Sequence, residues 1–262
     1  MAQTSYKFDF TEGKDGLIAD TGPNYIISRA AEGAIQFGRL CVLGTDKDTQ
    51  ADLPDAAADI TTAANVLGVA VRKENVEITS EPAGVSDEDD IGIMRQGRIY
   101  VLVEEDVTPS SDVYVRYAAT AQRSRLSFDA DLVTSNTIDM DVNGVALTQV
   151  PFNASNTQTL TDIATALQAL SSITTATASG PNDRVDIVAA SAATDISITN
   201  IVVAAGASQA NGTFAEISAS HLATEAGQFR TDSDNTSAAQ LANARYLKSA
   251  SANELAILEL NL

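Results

Sequence analysis

Short segments in which apolar residues alternate with polar ones, or run together, recur along the chain and are typical of β-strands. Gly, Pro and small polar residues that favour turns separate several of these segments. Strands are predicted at residues 34–43, 66–71, 98–103, 112–117 and 255–262, with a turn at Gln96-Gly97. Several short strands at regular spacing predict a mainly β domain, either a β-sandwich or a barrel-like fold.

A β-hairpin is predicted in the middle of the chain. Residues 137–142 alternate strictly between polar and apolar positions, and residues 145–147 continue on a second arm. Between them stands Asn143-Gly144, the strongest short hairpin signal, because both central residues of a type I′ turn need a positive φ.

A helix and two more strands are predicted after this hairpin. Apolar residues at helical spacing run from Leu160 to Leu170, and Thr159 is the expected N-cap. Residues 185–188 and 196–203 read as strands. The middle of the chain therefore predicts a small α+β unit built from a hairpin, a helix and a second hairpin.

Charge also separates the middle of the chain from the rest. The whole sequence has 16 basic and 35 acidic residues, a formal charge of −19. Residues 126–222 hold nine acidic residues and one basic residue, Arg184, which gives −8 and leaves −11 for the remainder. We expect a discontinuous host domain, 1–125 and 223–262, with an inserted domain at 126–222.

Composition excludes several classes of function. A surface this acidic repels phosphate, so no direct contact with nucleic acid is expected. No apolar window is long enough to span a membrane, so no membrane partner is expected either. The start of the sequence has no secretory signal pattern, which predicts synthesis in the cytoplasm. One Cys and one His cannot build a disulfide or a multi-histidine metal site.

The residues that could carry chemistry each have a simpler interpretation. Residues 139–144 match the first half of a calcium loop, but Val150 stands where that loop needs a bidentate Glu, so the hairpin is favoured. The acidic run 87–90 predicts a solvated loop rather than a cation site. His221 has no marked nucleophile or acid partner, and Cys41 lies in an apolar strand. No cofactor and no enzymatic activity are therefore expected.

Aromatic residues are scarce, and their densest cluster lies near the start of the chain. Tyr6, Phe8 and Phe10 alternate with Lys7 and Asp9, which places the three rings on one side of an extended segment. Such a segment is either a core or subunit-seam strand, or a terminal arm that docks its rings on a partner.

The host segments resemble the cement, or decoration, proteins of tailed-bacteriophage heads. The resemblance covers roughly residues 25–120 and 225–262, and the middle unit is similar to domains inserted in several phage structural proteins. The host segments that carry it are 28–42, 66–71, 95–101, 113–116, 227–230, 244–247 and 255–262. In the middle unit the segments are 131–134, 142–144, 150–152 and 206–210.

This resemblance implies a structural role on the outer surface of the virion capsid. Such proteins bind the major capsid protein of a tailed phage as homo-oligomers and bridge neighbouring coat subunits. A homotrimer is slightly favoured over a homodimer. The candidate capsid or subunit contacts are Tyr6, Phe8, Phe10 and Tyr25.

The charge distribution suggests an orientation, with the mixed-charge host toward the shell and the acidic insert toward solvent. The alternative function is a surface-exposed glycan-binding or adhesion module of a particle or cell. A glycan hydrolase with paired carboxylates is a weaker rival, because such enzymes usually need an aromatic-lined cleft and the chain has no Trp.

Overall fold

The computed structural model describes residues 13–73, 83–206 and 209–262. Three of the candidate contact residues lie outside these described residues: Tyr6, Phe8 and Phe10. The described chain divides by its internal contacts into two compact units. Unit 1 ends at Ala118 and resumes with Ala223–Leu262, and unit 2 is Ala119–Leu222.

Strands dominate the described residues, which confirms the mainly β prediction. The strands up to the end of unit 2 are β1 (Tyr25–Ala31), β2 (Ile35–Gln36), β3 (Leu40–Leu43), β4 (Gln50–Asp52), β5 (Val66–Val71), β6 (Gly84–Val85), β7 (Asp90–Leu102), β8 (Tyr114–Arg116), β9 (Arg123–Phe128), β10 (Thr137–Val142), β11 (Val145–Ala146), β12 (Val150–Pro151), β13 (Ile173–Ser179), β14 (Arg184–Ala189), β15 (Ile198–Ala204) and β16 (Gly212–Ser218). The strands that follow are β17 (Phe229–Arg230), β18 (Ala238–Gln240), β19 (Ala244–Tyr246) and β20 (Leu255–Asn261). The helices are α1 (Ala57–Thr61) and α2 (Asn156–Gln168), with 3₁₀ turns at Gly180–Asn182, Ala223–Glu225 and Asp234–Thr236.

Five strands of unit 1 form a closed barrel, which is the barrel-like one of the two folds that the sequence predicted. Their order is β1-β4-β3-β5-β7, and β7 pairs back with β1 to close the ring. Only β1 and β4 run parallel in this ring. Side chains such as Ile35, Leu67, Ile91 and Ile93 share one core with the buried Cys41. Because the ring is closed, each barrel strand has a hydrogen-bonded neighbour on both sides along part of its length. The barrel therefore leaves few backbone groups unpaired at a strand edge.

The long strand β7 belongs both to the barrel and to a second sheet. Its first half pairs with β1 and β5, and its second half pairs with β20, which carries β19. The chain before β1 runs along the other edge of the second half, through an Ile18–Ile99 bridge and a 2.8 Å hydrogen bond from Gly16 N to the Tyr100 carbonyl. A second apolar core is shared by this sheet and the sheet β17-β8-β18.

Two glycines place the strand boundaries of unit 1 differently from the prediction. The predicted strand 34–43 is divided into β2 and β3 at Gly38, whose φ of +77° turns the chain. The predicted turn at Gln96-Gly97 is wrong, because both residues lie inside β7. Gly97 has a φ of +131°, and a side chain there would collide with Asn24, so this glycine serves a close approach within the sheet.

A buried ion cluster lies where unit 1 is interrupted. Arg116 at the end of β8 is fully buried and donates to Glu104 and Asp234 at 2.6 and 2.7 Å. Arg230 on β17 reaches the same two carboxylates at 2.9 and 3.1 Å. Burial alone would lower the pKa of Arg116, but hydrogen bonds and charge from Glu104 and Asp234 outweigh it and raise the pKa. Strand β8 lies just before residues 119–222 and β17 lies just after them, and the two strands pair. The ion cluster therefore links the two segments of unit 1 at the point where the chain leaves it and returns.

Unit 2 consists of two four-stranded sheets and the helix α2 around one core. The sheets are β13-β14-β9-β16 and one in which β10 pairs with β11, β12 and β15. Alternate residues of β9, β10 and β14 are buried in this core, together with Leu160, Ile163 and Leu167 of α2. The hairpin prediction is confirmed, because β10 and β11 are joined by Asn143 and Gly144 at φ +51° and +78°.

Two predicted details of unit 2 are wrong. The N-cap of α2 is Ser155, whose hydroxyl accepts from Gln158 N, whereas Thr159 is buried inside the first turn and bonds back to the Ser155 carbonyl. The second hairpin joins β13 and β14, while β15 pairs with β10 in the other sheet. Strand β13 was missed because its sequence ITTATAS carries only two buried residues, Ile173 and Ala176.

Candidate functional site

Three exposed apolar side chains of unit 1 lie along one stretch of β7. Ile18, Tyr25 and Ile26 are 40%, 56% and 41% exposed, and they are the large exposed apolar residues of unit 1 among the residues that the structure describes. Ile18 pairs opposite Ile99, and Tyr25 and Ile26 pair opposite residues 96 and 94 of the same strand. We call these three residues the Tyr25 surface. The sequence pointed to Tyr25 but missed its two isoleucine neighbours.

A cleft of about 550 Å³ lies beside the Tyr25 surface, between the loop before β1 and the strands β7 and β20. Its lining is mostly polar and includes Asp20, Gln96, Arg98, Glu259 and Asn261, with the exposed Pro23 at its edge. The register explains this grouping, because Arg98 lies opposite Glu259 and Gln96 lies opposite Asn261. The cleft volume falls within the range of protein pockets that bind small ligands or side chains.

Ion pairs balance the charges of the cleft. Arg98 lies between two carboxylates, 2.9 Å from Asp20 and 3.1 Å from Glu259, and Arg245 of β19 also donates to Glu259 at 2.6 Å. Hydrogen bonds from Arg245 and Arg98 lower the pKa of Glu259, and the hydrogen bond to Glu259 raises the pKa of Arg98. Two basic and two acidic side chains therefore cancel here, on a chain that carries −19 overall.

A buried polar atom lies next to the cleft without a hydrogen-bond partner. The Asn24 side-chain oxygen packs against Gly97, which lines the cleft, and it accepts no hydrogen bond. Buried acceptors are usually satisfied in folded proteins.

The acidic run 87–90 bonds to its own neighbourhood. Asp87 accepts from Gly33 N at 2.8 Å, and Asp89 accepts from Ser86 N at 3.0 Å. Asp90 begins β7, and its pKa is lowered by the hydrogen bond from Ser28. These contacts fix a turn, as the loop interpretation predicted.

The remaining candidate residues are held in strands and bridges. Asp139 lies in β10 and accepts from the Gln149 amide at 2.8 Å. Cys41 lies in β3, and burial raises the pKa of its thiol to about 12. His221 forms a backbone bridge with Thr120. None of these three lines the cleft, so the structure does not join them to the Tyr25 surface.

A mainly β scaffold with exposed apolar side chains beside a charge-balanced cleft is suited to binding other proteins. The sequence matches the family model described as "Structural cement protein (E217 gp24/Pam3 gp6)" over residues 2–261. The chain therefore belongs to the family of phage structural cement proteins and is a structural protein of the phage virion.

Comparison with solved structures and curated sequences gives a wider setting. One chain from "The capsid of Myoviridae Phage XM1" is 12% identical with a TM-score of 0.44, over 99% of this chain and 97% of that chain. Another, described as "Mycobacterium phage Patience", is 15% identical with a TM-score of 0.42, over 92% of each chain. No curated protein sequence matches this chain. Among the described residues, no helix is both long and apolar enough to cross a membrane.

Proposed function

We propose that this protein binds the outer surface of a tailed-phage head and bridges neighbouring major capsid proteins. The observation that carries the proposal is the family match over residues 2–261, which covers nearly the whole chain. The role is structural, without catalysis. Many copies that each bury a modest area act together on one shell, so their stabilising effects combine by avidity.

Unit 1 is the proposed contact unit. It holds thirteen of the sixteen basic residues together with 26 acidic residues, whereas Ala119–Leu222 holds three basic and nine acidic residues. The Tyr25 surface is the proposed contact with the coat or with a neighbouring copy. Aromatic side chains next to Arg are common anchors of protein interfaces. Unit 2 is then the unit that faces solvent, and the net negative charge of the whole chain keeps decorated particles apart.

The direct test is a cryo-EM reconstruction of heads assembled with and without the purified protein. We expect regular density for unit 1 on the outer surface, across the boundary between adjacent coat subunits, and a higher disruption temperature for the decorated heads. Density inside the shell, or no density at all, would contradict the proposal. Burial of residues 126–222 against the coat would contradict the proposed orientation alone.

A matched pair of variants tests the Tyr25 surface. Tyr25→Ser removes a ring that is 56% exposed, so the fold should tolerate the change while head binding weakens about tenfold or more, as for an interface anchor. Ile217→Ser is the control, because Ile217 is equally exposed at 54% but lies in unit 2. Sedimentation of each labelled variant with heads measures both affinities. Equal loss in the two variants would argue against a contact at Tyr25.

A further inference from the structure

The charge balance of the cleft favours contact between copies of this chain. Two molecules of charge −19 repel each other, and the repulsion is weakest where local charges cancel. Arg98 in the cleft lining pairs with Asp20 and Glu259, and the neighbouring Arg245, outside the lining, supplies the second positive charge. The cleft and the Tyr25 surface therefore combine local neutrality, exposed apolar area and pocket volume.

The chain itself contains a segment with matching chemistry. Residues 4–10 carry three aromatic side chains in alternation, and Lys7 and Asp9 cancel in charge. They precede Gly13, which lies against the ring of Tyr100 on the same half of β7 that borders the cleft. Twelve residues of extended chain reach about 40 Å, which is enough to cross from one subunit to the next.

We propose that residues 4–10 of one copy dock in the cleft of a neighbouring copy, with aromatic side chains against the Tyr25 surface. The choice of a neighbouring copy rests on the proposed cement function, which needs links between subunits. An exchanged arm forms such a link without a large rigid interface, and its effective concentration is high once the subunits sit side by side.

Photo-crosslinking of the full-length protein tests this proposal in the absence of heads. With p-benzoyl-phenylalanine in place of Tyr25, irradiation should give covalent dimers or higher multimers on a denaturing gel. Trypsin cuts after Lys7 and Lys14, so the captured peptide should be residues 1–7, which contain Tyr6, or residues 8–14, which contain Phe8 and Phe10. The same probe in place of Ile217 should capture neither peptide.

A second variant links the capture to the aromatic side chains. Phe8→Ser with Phe10→Ser should lower the yield of covalent multimers about tenfold or more while the circular dichroism spectrum stays unchanged. Monomer bands alone, capture of another peptide, or an undiminished yield in the double variant would each overturn the proposal. Head binding that persists in those cases would leave the cement function intact, while multimers that do not bind heads would support the arm and contradict the cement function.

Discussion

Charged residues of this protein occupy two contrasting environments. Arg116 is completely buried with Glu104 and Asp234, whereas the Arg245 side chain is 67% exposed beside Glu259. A buried pair depends on both partners, because removal of one leaves the other charged and desolvated. An exposed pair is screened by water, so its loss matters little. Ion pairs of similar geometry thus contribute very differently to the stability of the fold, depending on whether they are buried.

Replacement of Arg116 should therefore destabilise the protein strongly. Arg116→Met leaves Glu104 and Asp234 facing Arg230 alone, and we expect a loss of about 3–5 kcal/mol in the free energy of unfolding. Urea denaturation followed by circular dichroism measures this change. Arg245→Met is the control and should leave the midpoint nearly unchanged. A small effect of Arg116→Met would mean that Arg230 suffices for both carboxylates.

The single thiol reports on the integrity of the barrel. Cys41 is completely buried, and burial raises its pKa to about 12, so little reactive thiolate exists near neutral pH. We expect iodoacetamide to leave the native protein unlabelled at about pH 8 and to label it fully in concentrated urea. Mass spectrometry after timed quenching measures the modified fraction. Rapid labelling without urea would indicate that β3 opens readily.

The neighbouring barrel strands β5 and β7 are in close contact at Gly68. Gly68 has a φ of +141°, and a methyl group on it would lie 2.1 Å from the carbonyl oxygen of Met94. Gly33 also has a positive φ, +84°, but nothing lies within 4 Å of the corresponding position. A side chain at Gly33 would therefore cause backbone strain alone, whereas a side chain at Gly68 would cause both backbone strain and a steric collision.

Alanine substitutions at these positions should differ in a defined order. Gly33→Ala should cost about 1 kcal/mol for its backbone conformation alone, whereas Gly68→Ala should cost about 3 kcal/mol or more because the barrel strands must also move apart. Thermal unfolding monitored by circular dichroism gives both values. Equal costs would show that β5 can shift without penalty.

Local signals in the sequence predicted the elements well where one rule dominated. Alternation and Asn143-Gly144 located β10 and β11, and apolar spacing located the core face of α2. The same reasoning failed where a distant contact decided the outcome. Gly97 resembles a turn residue locally, but its close contact with Asn24 keeps it inside a strand.

The candidate site was less predictable than the fold. Tyr25 was named from the sequence, but the cleft depends on the register that sets Arg98 opposite Glu259, 161 positions away in the chain. Ile18 and Ile26 resemble ordinary strand residues, and only the pairing with β7 places them along the same stretch of that strand as Tyr25. Pairing of distant strands is not encoded in any short motif.

At the scale of the whole molecule, the two units have separate apolar cores. Among the residues that the structure describes, the core of unit 2 consists of residues of Ala119–Leu222, while the two cores of unit 1 consist of residues from the remaining chain. The segment that leaves unit 1 and the segment that returns to it pair with each other. Phe229 lies opposite Val115, and Gly227 N donates to the Arg116 carbonyl at 2.8 Å. Unit 1 therefore closes its own core at the point of interruption.

Removal of unit 2 should leave a folded remainder. A chain in which a short Gly-Ser linker replaces residues 119–222 should unfold cooperatively. The slope of its free energy of unfolding against urea concentration scales with the surface that unfolding exposes, so we expect about three fifths of the slope of the full chain. Urea titration measures the slope. A broad transition without cooperativity would indicate that unit 1 depends on unit 2, and head binding by the shortened chain would assign the contact to unit 1.

The position of β7 has a mechanical consequence. The Tyr25 surface attaches to one edge of this strand, and β20 attaches to the other edge over seven consecutive residue pairs. A pull along the strand between partners on its two sides loads these ladders in shear, so that their hydrogen bonds resist together rather than opening one after another. Under the proposed cement function, coat contacts on both sides of β7 would let a swelling shell load these ladders in shear rather than peel them apart.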